Sequence, residues 1–168
     1  YNELGEISRF RGDLSSALQH YDQATFYYEE AKAMDVHIPK FNRAMVGLAL
    51  GNNDQARVTF GQLIEHYRSR SLEFDLGTAL LGKAVTLARA REVDDLEQLV
   101  DEATSRLGDE AHEPDIAVLW GYLADALLDG GAIPLGRRAA KKCVHRWNRL
   151  GNQARAEEAR QKYGVTGE

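Results

Sequence analysis

Five histidines (His20, His37, His66, His112 and His145) and a single cysteine, Cys143, are the side chains best suited to hold a metal or move a proton. None of the histidines forms the H-E-x-x-H pair that places two imidazoles on one helical face. Cys143 and His145 are neighbours, but two residues along a helix turn through about 200°, so they point apart. Ser15-Ser16 stands near His20, yet no strained elbow surrounds it, and serines just inside a helix start serve capping. The stretch from Gly47 to Gly51 has a helical pattern and lacks the G-x-x-x-x-G-K-[ST] sequence that cradles phosphates. No arrangement for catalysis, cofactor binding or metal binding can be assembled, and the chain does not read as an enzyme.

Charge is the next feature with chemical content. The chain carries a formal net charge of −5, which gives no general reason to expect nucleic acid as a partner. The distribution is uneven. From Glu92 to Asp129 there are twelve acidic residues and one basic, Arg106, whereas Arg137 to Lys162 holds nine basic residues and two acidic. Arg137, Arg138, Lys141, Lys142 and Arg146, with His145 and Arg149, recur at helical spacing. They form a candidate basic surface for an acidic partner or nucleic acid. The competing expectation is a solvated face paired with the acidic segment before it. That expectation is favoured, because Trp147 is the only aromatic in the run.

The elements that carry these residues can be read from composition and periodicity. Hydrophobic residues make up 43% and charged residues 28%, a globular balance, and with only three prolines the abundant Ala, Leu, Glu and Arg favour helix. No apolar run approaches the roughly 20 residues of a membrane span, and these residues hold no basic segment followed by an apolar core of the secretory kind. The lone Cys143 cannot form an internal disulfide, which suits a reducing, cytoplasmic setting. The chain begins at Tyr1 inside a periodic segment and reads as a piece of a longer protein.

Four segments align without internal gaps. The first carries Tyr1, Leu4-Gly5, Gly12-Asp13, Ala17, Tyr21 and Ala24. The second carries Arg43-Ala44, Gly51-Asn52, Ala56, Phe60 and Leu63. The third carries Lys83-Ala84, Arg91-Glu92, Leu96, Val100 and Ala103. The fourth carries Trp120, Leu123-Ala124, Gly130-Gly131, Gly136, Ala140 and Cys143. Ala17, Ala56, Leu96 and Gly136 stand 39, 40 and 40 residues apart. Each unit reads as helix, turn, helix, with small residues where the two helices cross closely. The spacing predicts first (A) helices near 2–11, 39–50, 73–90 and 114–129, and second (B) helices near 14–34, 53–69, 93–107 and 133–149. A polar last helix near 153–163 has the character of a cap. The repeats thus span about 1–35, 36–72, 73–111 and 112–150 of one domain.

These residues resemble the tetratricopeptide repeat family, with a period near 40 instead of the usual 34 or so. Val36-His37-Ile38-Pro39-Lys40-Phe41-Asn42, followed by an Ala- and Leu-rich helix, is similar to repeats appended to bacterial signalling proteins such as Ser/Thr kinases and ATPase-type transcription regulators. The resemblance implies an all-α, right-handed superhelix of four helix-turn-helix repeats plus a C-terminal capping helix. It further implies a protein- or peptide-binding scaffold within a signalling or regulatory protein. The ligand would lie on a concave face lined by the A helices: Asn2, Glu6 and Arg9, then Phe41, Met45 and Leu48, then Leu81, Val85 and Ala88, then Gly121, Asp125 and Leu128. Phe41, Met45, Leu48, Leu81 and Val85 are open to a second reading, as core between A and B helices. Rival functions are a sensor of a small effector or signalling peptide, and self-association at the Tyr1 end. Tyr21, Phe26, Tyr27 and Tyr28 crowd one helix; Tyr21 belongs to the repeat pattern, and the others span two faces, so at least one is expected to point outward or to pack against a preceding repeat.

Overall fold

The computed structural model describes residues 1–108 and 113–166, all without strand, and falls into two compact units, Tyr1–Ser71 and Leu72–Glu168. In the first, α1 (Asn2–Phe10), α2 (Leu14–Glu30), α3 (His37–Ala49) and α4 (Asn53–Arg70) pack in succession, each against the next, with a single 3-10 turn at Met34–Val36 before α3. In the second, α5 (Glu73–Arg89) packs on α6 (Leu96–Leu107) and α7 (Pro114–Asp129), and α8 (Ile133–Arg149) lies between α7 and α9 (Gln153–Tyr163). His112 and part of the junction between the third and fourth repeats lie outside the described residues.

Local chemistry accounts for most helix limits. Asp13 caps α2 by accepting a hydrogen bond from the Ser16 amide at 3.0 Å, and Asn152 caps α9 by accepting from the Arg155 amide at 3.1 Å. Pro114 and Pro134 occupy first-turn positions, where a missing N–H costs nothing. The turns share one closure. Gly12, Gly51 and Gly131 take φ of 79°, 80° and 78°, and each is flanked by paired amide-to-carbonyl bonds back into the preceding helix, as in Gly12 to Arg9 and Asp13 to Ser8. This is a Schellman closure, which needs a left-handed residue. Arg91 fills the equivalent place in the third repeat at φ 62°, and Lys32, Ser71 and Gly151 adopt the same region between a B helix and its successor.

Two boundaries differ from the sequence expectation by more than two residues. The third B helix begins at Leu96, because Asp95 is itself left-handed (φ 58°) and its side chain accepts no capping hydrogen bond from the helix amides. The first B helix ends at Glu30, since Lys32 turns left-handed and closes it.

Packing obeys the small-residue pattern. Gly5 of α1 sits against the Tyr21 ring of α2, where an added Cβ would lie 2.6 Å from Cδ1. Tyr21 and Ala17 in turn bury against Val46 of α3, with Leu14 and Leu18 at the margin. In the second unit α5 is buried almost all round from Leu76 to Val85, with Leu96, Val100 and Ala103 of α6 and Ile116, Trp120 and Leu123 of α7 also in the core. The hydroxyls of Thr78 and Thr86 donate to the carbonyls of Phe74 and Lys83, so they enter this apolar helix already satisfied. Each large side chain so removed from water stabilises the fold by about 1.5–3 kcal/mol.

Candidate functional site

The positions assigned to a concave ligand face divide into three groups. Met45, Leu48, Leu81, Val85 and Ala88 are buried in the core and present no side chain to a ligand, as the second reading of the sequence allowed for all of them but Ala88. The physical reason is that α3 and α5 bury more than one face, so apolar positions that look outward on a helical wheel are covered. Phe41 is half-buried and meets Phe60 edge-on, the centroids 6.1 Å apart.

A second group, on α1, is engaged internally. Glu6 accepts hydrogen bonds from Arg9 at 2.9 Å and from the Tyr21 hydroxyl at 2.6 Å, and Asn2 accepts from the Asn42 amide at 3.2 Å. These bonds stitch α1 to α2 and α3, so Glu6 and Asn2 act first as ties within the unit.

The third group opens on a cavity. Gly121 and Asp125 of α7 line a space of about 390 Å³ shared with Cys143 and Trp147 of α8 and with Arg155, Lys162 and Tyr163 of α9. Leu128, one turn further along α7, is half-buried. Asp125 accepts from the Tyr163 hydroxyl at 2.9 Å and from Lys162 at 2.8 Å, and the same hydroxyl lies 3.1 Å from the Gly121 carbonyl. Burial, then the hydrogen bond to Asp125 and its charge, push the Tyr163 hydroxyl well above the ordinary phenol range. Burial pushes the Cys143 thiol up to about 11, which makes it inert as a nucleophile. Arg155 lies over the Trp147 ring at 4.8 Å, and Arg89 over Tyr122 at 5.0 Å. Tyr163 is not visible when α9 is read only as a polar cap. An aromatic in the last turn of an otherwise charged helix was the available signal.

The candidate basic surface is broken up. Arg138 is held by Asp101 at 2.6 Å and Glu97 at 3.5 Å, both from α6. Arg146 is only 2% exposed and donates to the Gly108 carbonyl. Arg137, Lys141, His145 and Arg149 remain on the exposed side of α8, and Lys142 is half-exposed. The acidic third repeat and the basic fourth B helix therefore do pair locally, at Arg138.

His37 and His66 stack with ring centroids 5.2 Å apart. Burial, and secondarily the charges of His37, Arg70 and Lys40, hold the His66 imidazole below its ordinary value. Among the described residues no three His, Cys, Asp or Glu side chains converge as metal ligands. No described helix is long and apolar enough to cross a membrane.

An exposed apolar surface lies elsewhere. Tyr1, which precedes α1, Leu4, Ile7 and Phe10 within it, and Phe26 and Tyr27 of α2 are exposed, Phe10 to 95%. Tyr1 stacks on Tyr27 at 5.2 Å and Phe26 meets Tyr27 edge-on at 5.5 Å, so the aromatics form one surface. Of the crowded α2 aromatics, Tyr21 is buried, Tyr28 half-buried and the other two point outward. Tyr1 and Leu4 belong to the repeat pattern, which hides the i, i+3 series they begin.

No family model, curated protein or solved structure matches the chain.

Proposed function

We propose that the chain is a helical-repeat recognition module that docks an amphipathic helix of a protein partner on the exposed apolar face of α1 and α2. The observation that carries this reading is the contrast between two equivalent positions. Ile7 and Val46 stand 39 residues apart, one repeat. Val46 is 1% exposed, buried against Ala17 and Tyr21 of the preceding B helix with Leu14 and Leu18 beside it; Ile7 is 47% exposed. The surface around Ile7 is thus shaped for a helix that offers Leu, Ala, Leu and Tyr at i, i+3, i+4 and i+7, the pattern of Leu14, Ala17, Leu18 and Tyr21. Such helix-in-groove binding is read through anchors at that spacing. The same proposal takes the helix pairs as tetratricopeptide-like repeats of a right-handed superhelix; the 39- and 40-residue spacing and the shared left-handed closures support it.

The test uses a labelled peptide of residues 14–30 as the probe helix, with fluorescence anisotropy as readout. Binding in the micromolar range, about −8 kcal/mol, is expected. Ile7→Asp with Phe10→Asp abolishes it, while circular dichroism stays unchanged because both side chains face water. Equal binding by the double variant refutes the assignment, and so does the absence of binding. Dimers of the chain that vanish in the double variant would replace the partner helix by a second copy.

A further inference from the structure

We infer that the cleft between α8 and the C-terminal end of α9 binds a small phosphomonoester. The inference is independent of the helix-docking face and concerns the other unit.

The cleft has a volume of about 440 Å³ and presents Lys141, His145 and Asn148 from α8, with Arg160 and Thr166 opposite. None of its lining residues is acidic, in a chain whose net charge is −5. Every polar group at the wall can donate a hydrogen bond. Arg160 is held in place by two bonds: one Nη donates to Glu157 at 3.2 Å and the other to the Asn148 side-chain oxygen at 3.0 Å. These two bonds use two of the five N–H groups of a guanidinium and fix its plane. The bond to Asn148 also fixes that amide with its oxygen toward Arg160.

Two permanent cations, an imidazole, an amide and a hydroxyl around one space exceed what a single carboxylate can occupy. A phosphate dianion has three oxygens free for such donors, and its charge meets Lys141 and Arg160, the latter shared with Glu157. The volume is larger than inorganic phosphate fills, and Val144 and Val165 supply an apolar wall. An organic part of a few carbons fits there.

Amide NMR titration of the whole chain with glycerol 3-phosphate at low salt tests this. Saturable shifts confined to 141–148 and 160–166 are expected, with half-saturation near about 1 mM and inorganic phosphate weaker by about threefold or more. Lys141→Gln and Arg160→Gln each weaken binding by about fivefold or more, the loss of one charged donor. Shifts of equal size at Arg137 and Arg149, outside the cleft, would show diffuse attraction and overturn the site. Equal affinity for inorganic phosphate would remove the phosphomonoester in favour of a bare anion. No saturation up to about 50 mM, an affinity weaker than about −2 kcal/mol, would overturn it altogether.

Discussion

Replacing Gly5 by alanine and replacing Gly61 by alanine are the same chemical change inside a helix, and the structure gives them opposite signs. In an open helix interior alanine is better than glycine by about 1 kcal/mol, because glycine loses more backbone freedom. At Gly61 the added methyl meets nothing within 4 Å, so this gain is realised and the variant is stabilised by about 0.5–1 kcal/mol. At Gly5 the methyl would overlap the Tyr21 ring, at 2.6 Å from Cδ1 and 2.8 Å from Cζ. That ring has no exposure, and its hydroxyl is tied to Glu6 at 2.6 Å, so it cannot swing aside without breaking a bond and opening the contact with Ala17 and Val46. Forcing a methyl into such packing costs about 1–3 kcal/mol, and the upper part of that range applies to a rigid ring. The helix gain offsets part of it, leaving a net loss of about 1–2 kcal/mol. Urea unfolding followed by circular dichroism measures both variants, with amide hydrogen exchange in α1 and α2 as the local readout. Gly61→Ala is expected to raise the midpoint and Gly5→Ala to lower it. A Gly5→Ala variant at or above the wild-type midpoint, with exchange in α2 unchanged, would refute the close approach of α1 and α2 at that point.

Two further predictions concern the second unit. Because burial raises the Cys143 thiol from 9.0 to about 11, the folded state holds its proton more tightly than the unfolded chain. That contribution is complete below pH 9 and is lost as pH rises through about 11. Stability should therefore fall across this window less steeply in Cys143→Ala than in wild type; parallel pH–stability curves would contradict it. Tyr163→Phe removes the hydroxyl that reaches Asp125 and Gly121 and should cost about 1–3 kcal/mol, the worth of a hydrogen bond to a charged acceptor. The loss is expected as faster amide exchange across α9, and unchanged exchange there would show that the bond holds nothing.

The helices were legible because their signals are local. Asp13 and Asn152 cap by reaching three residues along the chain, and Gly12, Gly51 and Gly131 close turns through bonds spanning six residues. Arg91 and Asp95 were harder to read: a left-handed Arg or Asp has no composition signal, so the third B helix begins later than the spacing predicts. The candidate site was less legible because it depends on which face each helix covers. Leu81 and Val85 satisfy a concave register and a core register equally, and only the burial of α5 on both sides decides between them. Arg138 and Arg146 share helical spacing with Arg137 and Lys141, yet Asp101 and the Gly108 carbonyl, 37 and 38 residues away, take them out of the basic surface. Contacts at that separation leave no mark in spacing.

The left-handed closures bear on how such a chain changes length. They occur after all four A helices, at Gly12, Gly51, Arg91 and Gly131, and after three of the B helices, at Lys32, Ser71 and Gly151, whereas the third B helix ends at Gly108 with φ 59° and ψ −176°. A coding segment for a pair bounded by such closures therefore brings compatible ends with it, and its duplication or deletion creates no new loop to be solved. A single-residue insertion inside a helix has the opposite effect. It rotates everything beyond it by about 100° and would carry Tyr21 or Phe60 out of the core. Related chains of different length should accordingly differ by whole pairs, or by residues at the closures, with helix interiors held constant in length.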